Sequence, residues 1–266
     1  MKRTLSTAVI ALTLVACESH PAPATPAAAP ARSPRAVLVV ITNVNRYATV
    51  DRPTGYWVAE VAQPAALFES KGIRVDFASI KGGPVPIDPS SDPRNPEGHA
   101  GQDPVSLGFL GDARVQERLA RTARLADVNL SAYDAIFFAG GTGAAFDFPG
   151  DASVQGAARS MYERGKVVAA VCHGTAALVD VKLSDGSFLL RGRKATGFSN
   201  KEEEMAGNLK GTLPLSIEDE MGKRGAIYSA GAPWQPNAVR DGRLITGQQP
   251  QSARAMAEAV AAAIGD

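Results

Sequence analysis

From residue 36 onward the sequence predicts an α/β fold: a three-layer, doubly wound, mostly parallel sheet with helices on both faces. Two observations predict it. Short apolar runs rich in β-branched residues alternate with longer stretches of helical spacing, and the first of those runs, from Ala36, is continuous rather than apolar at every second residue. Alternation of strand and helix implies right-handed crossovers, and continuous apolar strands imply a sheet covered on both sides.

Taken in order, residues 36–42 form the first β-branched run, and residues 57–71 have helical spacing that stops at Gly72. Residues 73–79 read as a second strand. Residues 81–111 break the rhythm with Pro, Gly, Asp and Ser and no apolar period, so they are expected to be a long excursion, either shaping a binding site or lying passively on the surface. Helical spacing returns over 115–125, followed by a strand over 133–139, a helix over 154–164 and a strand over 166–172. Residues 226–229 repeat the strand pattern. The last helix, residues 252–264, places Ala253, Met256, Val260 and Ile264 on one stripe, which makes Met256 a core residue.

The 266 residues carry a formal charge of +1, with both signs interspersed, so there is no electrostatic footprint for nucleic acid or an anionic surface. A neutral or small substrate is expected. Lys2 and Arg3 precede an apolar run from Leu5 to Leu14 that is too short to span a bilayer, and Leu14-Val15-Ala16-Cys17 is a small-residue cleavage site. Residues 1–16 therefore read as a signal peptide. Cys17 directly after the cleavage point resembles the lipobox of bacterial lipoproteins, the alternative being an ordinary secretory peptide with an incidental cysteine. Residues 17–35, rich in Pro and Ala, read as an extended tether of about 3.1 Å per residue. Residues 36–266 are the folded domain, and the expected location is the periplasm-facing membrane surface of a bacterial envelope, with the lipid as the sole membrane contact.

Cys172 is the only cysteine after Cys17, so the mature domain holds no internal disulfide. A solitary thiol in an oxidising compartment is either buried and inert or retained for a role. It stands where the strand over 166–171 runs into His173-Gly174 and a short small-residue helix over 175–178, which looks like a nucleophile elbow. Such an elbow lifts a side chain into the crevice beyond the carboxyl ends of the strands. A helix N-terminus there is expected to favour the thiolate, drawing the thiol from about 8.5 into roughly the 3.5–7.5 range.

Ala170-Val171-Cys172-His173-Gly174 resembles the nucleophile motif of the ThiJ/PfpI superfamily, which includes the Parkinsonism-associated deglycase and the glyoxalase III chaperones. Thr54-Gly55-Tyr56-Trp57 with Glu60 and Pro64, then Asp76-Phe77-Ala78-Ser79, Gly82-Gly83 and Asp88-Pro89, resemble the heat-shock glyoxalase branch. Gly140-Gly141, Thr196-Gly197-Phe198, Gly231-Ala232-Pro233-Trp234 and the run from Asp241 to Gly247 extend the resemblance along the domain. The fold it implies is class I glutamine amidotransferase-like and flavodoxin-like. It makes Cys172 the nucleophile, His173 its acid/base partner and Glu203 the carboxylate that orients the imidazole, with Glu202 and Glu204 one register away. Glu60 is implied to reach the cysteine from the first helix, whereas by residue type alone it lies either on a wet face or buried for a purpose. The amides of Gly141 and His173 are implied to receive an oxyanion. Thr142 departs from the branch, which has a histidine between these glycines, and the departure bears on substrate choice and rate.

The resemblance implies a cysteine-dependent, glutathione-independent glyoxalase III-type lyase acting on methylglyoxal or related 2-oxoaldehydes, a homodimer, with no cofactor. It also implies two alternatives, a holdase chaperone for unfolded proteins with Cys172 as redox sensor, and, ranked third, a cysteine peptidase. An amidotransferase needs a second histidine far downstream, and none follows His173. His20 lies in the tether and His99 in the Pro/Gly loop, and no clustered His/Cys set suits a metal.

Overall fold

A computed structural model describes residues 35–208 and 211–265. The signal peptide, Cys17 and almost all of the tether lie outside the described residues. Nine strands and eight α-helices are described: β1 Ala36–Ile41, α1 Val58–Ser70, β2 Arg74–Ser79, α2 Pro104–Gly111, α3 Ala113–Ala120, β3 Ala123–Arg124, β4 Ala135–Phe138, α4 Ala144–Asp147, α5 Ala152–Glu163, β5 Val167–Val171, β6 Lys194–Ala195, α6 Asn200–Met205, α7 Ile217–Lys223, β7 Ile227–Tyr228, β8 Ala238–Asp241, β9 Leu244–Gly247 and α8 Ala253–Ala263.

Seven strands form the central sheet in the order β3-β2-β1-β4-β5-β9-β8, parallel except for the terminal β8. Every residue of β1, β4, β5 and β9 is buried, which is why these runs are apolar on both alternating faces. The chain winds outward from β1 to β2 and β3, then returns to β4 and winds the other way. Right-handed crossovers in opposite directions put their helices on opposite faces of the sheet. α1 packs with α2 and α8, and α5 packs against β4 and β5. Reversal of winding between β1 and β4 leaves a crevice at their carboxyl ends, where open α/β sheets take ligands.

The sequence reading needs four corrections. Residues 226–229 do not enter the central sheet, because β7 pairs only with β6 in a separate two-stranded ribbon. The place beside β5 goes to β9, whose hairpin with β8 turns at Gly242 in the left-handed region, φ +59°. The excursion over 81–111 contains a packed helix, α2, started by the Asp103 side chain accepting from the Val105 amide, with Pro104 in the first turn. Helix α3 stops at Ala120, and the chain straightens at once into the edge strand β3. Finally, the turn after β5 is a 3-10 helix that begins at Cys172 itself and runs to Leu178.

Candidate active site

Cys172 follows β5 directly and adopts φ +54°, a conformation rare for a residue with a side chain. This is the sharp strand-to-turn transition expected of an elbow, and the Thr175 hydroxyl braces it by donating to the Cys172 carbonyl at 2.7 Å. Sγ lies 3.4 Å from His173 Nδ1, and His173 Nε2 lies 2.8 Å from Glu203 Oε1. A carboxylate only accepts, so the proton of a neutral imidazole sits on Nε2 and the Nδ1 lone pair faces the thiol. Phe198 stacks on the imidazole with ring centroids 4.4 Å apart, and Trp234 meets Phe198 edge-on.

Glu203 rides on α6, whose start is fixed by a capping box between Ser199 and Glu202. That box answers the register question physically. Glu202 turns back to the Ser199 backbone and also receives the Trp234 amide and the Gln248 side chain, while Glu204 pairs with Lys201 at the surface. Only Glu203 faces the histidine.

Glu60, in the first turn of α1, is fully buried, and neither carboxyl oxygen makes a well-formed hydrogen bond. Burial pushes its carboxyl up to about 8, and the nearby Cys172 thiol and Gly140 amide offset this only in part. At neutral pH it is therefore mostly protonated. Burial, and after it the charge of Glu60, also pushes the Cys172 thiol up, although the amides of His173 and Gly141 point at the sulfur and pull the other way. The expected low-pKa thiolate is thus corrected: a sulfur only 2 % exposed beside a carboxyl pays more for losing water than a 3-10 turn returns.

Two glycines make this closeness possible. A Cβ at Gly140 would stand 2.3 Å from Glu60 Oε2 and 2.9 Å from Cys172 Cβ. Gly141 has φ +99°, and a Cβ there would fall 2.4 Å from the Trp57 nitrogen. Glycine at both lets the backbone after β4 press against α1 and the elbow together.

The crevice opens into a cavity of about 600 Å³ whose lining includes Cys172, His173, Gly141, Thr142, Trp57 and Trp234. All five residues singled out from the sequence for the reaction, Cys172, His173, Glu203, Glu60 and Gly141, come together here. Sequence reasoning missed the walls. Tyr47, Arg52 and Asn208 line the cavity, as does His99 from the Pro/Gly loop, so that loop does shape the site. Trp234 sits at φ +59°, a second strained residue with its ring in the wall, and the motif Gly231-Ala232-Pro233-Trp234 was its only signal.

The parallel sheet and the strained cysteine at its carboxyl edge, backed by a histidine and a carboxylate, define a flavodoxin-like α/β protein with a cysteine-centred site. The DJ-1/PfpI family model matches residues 54–263, and the chain belongs to that family. It is 35 % identical to "Glyoxalase 3" of Candida albicans over 85 % of this chain and 97 % of that protein. It is 34 % identical to "Glutathione-independent glyoxalase HSP31" of Saccharomyces cerevisiae, over 85 % of this chain and 96 % of that one. Among solved structures, the Rapid Encystment Protein 24 kDa of Francisella tularensis superposes with a TM-score of 0.81 at 37 % identity, covering 86 % of this chain and 99 % of that one. Glyoxalase III from Candida albicans superposes with a TM-score of 0.75 at 33 % identity, covering 86 % and 97 %.

Proposed function

We propose that this protein is a glutathione-independent glyoxalase, a lyase that converts methylglyoxal and related 2-oxoaldehydes to 2-hydroxy acids, with Cys172 as nucleophile. The observation that carries the reading is the line from Glu203 through His173 to Cys172, closed on the other side by a protonated carboxyl at Glu60. Relatives named as glyoxalases over almost their whole length support it.

A neutral thiol suits this chemistry. As sulfur bonds to the aldehyde carbon, its proton passes to His173 Nδ1, and Glu203 steadies the imidazolium that forms. The amides of Gly141 and His173, which favour negative charge on the sulfur, are the donors assigned here to the new oxyanion. The imidazolium returns its proton to that oxyanion. His173 then takes the C1 proton while Glu60 protonates the C2 oxygen. The enediol so formed receives a proton at C2 from His173 as its C1 hydroxyl proton goes back to Glu60, giving a thioester of the 2-hydroxy acid. Water cleaves the thioester and restores the thiol, so the sum is 2-oxoaldehyde plus water to 2-hydroxy acid. A redox-sensing role draws less support, because oxidation favours an exposed thiolate and this sulfur is neither.

Lactate formation from methylglyoxal by the purified chain is the test. Wild type is expected to form lactate without added glutathione, and Cys172→Ala to lose at least a hundredfold in rate. Equal consumption by both, or none by wild type, overturns the reading. The features of residues 1–35 support export and anchoring of the 36–266 domain through a lipid on Cys17, so metabolic fatty-acid labelling should vanish in Cys17→Ala.

A further inference from the structure

We infer that Asn208 is a positioning residue, an uncharged amide that locks Glu203 in line with His173 and ties that pair to Arg52 and Tyr47 in the cavity wall. Asn208 follows α6 and is 8 % exposed. Its Nδ2 donates to Glu203 Oε2 at 2.6 Å, leaving Oε1 for the imidazole. Its Oδ1 accepts from Arg52 Nη2 at 2.6 Å and from the Tyr47 hydroxyl at 3.1 Å. The amide has one chemically sensible orientation, since a carboxylate requires a donor and a guanidinium an acceptor. Arg52 is itself held over the Tyr47 ring, 4.1 Å from its centroid.

Spacing gives the arrangement its purpose. A guanidinium paired directly with Glu203 would draw the carboxylate's charge to itself and weaken its grip on an imidazolium. The amide passes on a hydrogen bond instead of a charge, so both oxygens of Glu203 are engaged while its charge stays available to His173. The groups hydrogen-bonded to the amide side chain are Glu203 on one side and Arg52 and Tyr47 on the other, so an aspartate at 208 would confront Glu203 with a like charge unless it carried a proton to donate.

The inference rests on Cys172, His173 and Glu203 acting together, but its test needs no methylglyoxal. Nitrogen-15 NMR of histidine-labelled whole chain reads the His173 tautomer, and the rate of Cys172 alkylation by iodoacetamide reads how well the imidazole serves the thiol. In Asn208→Ala the tautomer is expected to become mixed and alkylation at pH 7 to fall on the order of tenfold, the effect of one pKa unit on the thiol. Asn208→Asp is expected to alkylate at the alanine-variant rate at both pH 7 and pH 8.5, because a carboxylate at 208 turns a like charge to Glu203 Oε2 in place of a donor. A tautomer and rate within twofold of wild type in Asn208→Ala overturns the inference. So does an Asn208→Asp variant equal to wild type at both pH values, since shape alone would then suffice; this variant is isosteric and decides the matter if the alanine variant does not fold. A chain that shows the expected alkylation pattern yet leaves methylglyoxal untouched would retain this role for Asn208 and remove the glyoxalase.

Discussion

At the scale of single residues, the neighbouring acids Glu60 and Cys172 govern each other. Both are buried, and burial lifts Glu60 to about 8 and raises the thiol as well. Two adjacent anions are the state the site resists most. Replacing Glu60 by glutamine removes the charge that Glu60 acquires above about pH 8, so Cys172 alkylation is expected to be little changed at pH 7 and several-fold faster at pH 9. The same substitution removes a proton carrier, and turnover of methylglyoxal is expected to drop ten- to a hundredfold. Opposite signs in the two assays distinguish a proton-carrying acid from a bystander; a parallel fall in both would mean that Glu60 only holds the thiol in place.

At the scale of elements, α6 is short and its position depends on its cap. Ser199→Ala removes the hydroxyl that accepts from the Glu202 amide and donates to the Glu202 carboxylate, and is expected to cost about 1–2 kcal/mol in chemical denaturation. Because the same helix carries Glu203, turnover should fall several-fold as well, and Ser199→Thr should restore most of both. The elements also show what a sequence reveals. The buried strands β1, β4 and β5 were legible because runs of four to six apolar residues rich in β-branched and aromatic side chains mark strands covered on both faces. The site residues Cys172, His173, Glu203, Glu60 and Gly141 were legible through motifs. Helix α2 was not, since Gly108 and Gly111 within it read as loop, although Asp103-Pro104 was a helix start in plain view. β9 was hidden by its brevity, and β7 was misplaced because an isolated four-residue apolar run carries no information about which sheet it joins. Asn208 and Arg52 could not be found at all: they lie 156 positions apart and meet only through the cavity wall.

For the whole molecule, the buried carboxyl sets how stability responds to pH. A group whose folded value is raised from 4.5 to about 8 holds more protons folded than unfolded between those limits, so its contribution is complete below 4.5 and is lost as pH rises through 8. The ceiling on that loss is about 5 kcal/mol. Asp147, lifted by burial to about 6 beneath the loop after β1, acts in the same direction over a lower window, from 3.8 to 6. Denaturant midpoints of wild type are therefore expected to fall from pH 5 to pH 8.5. Glu60→Gln should flatten the upper part of that fall and be the more stable protein at pH 8.5; an unchanged slope would mean the carboxyl is already ionised in the native state.

The contorted backbone at Cys172 carries a toll that the rest of the scaffold must underwrite. A left-handed φ of +54° is forgiving to glycine and grudging to every residue with a β-carbon, by about 1–2 kcal/mol. Heating should therefore rank an inert Cys172→Gly protein at or above Cys172→Ala, against the usual rule that glycine loosens a chain. Durability and reactivity would then be rivals at this one position, and selection for toughness alone would erase the sulfur first.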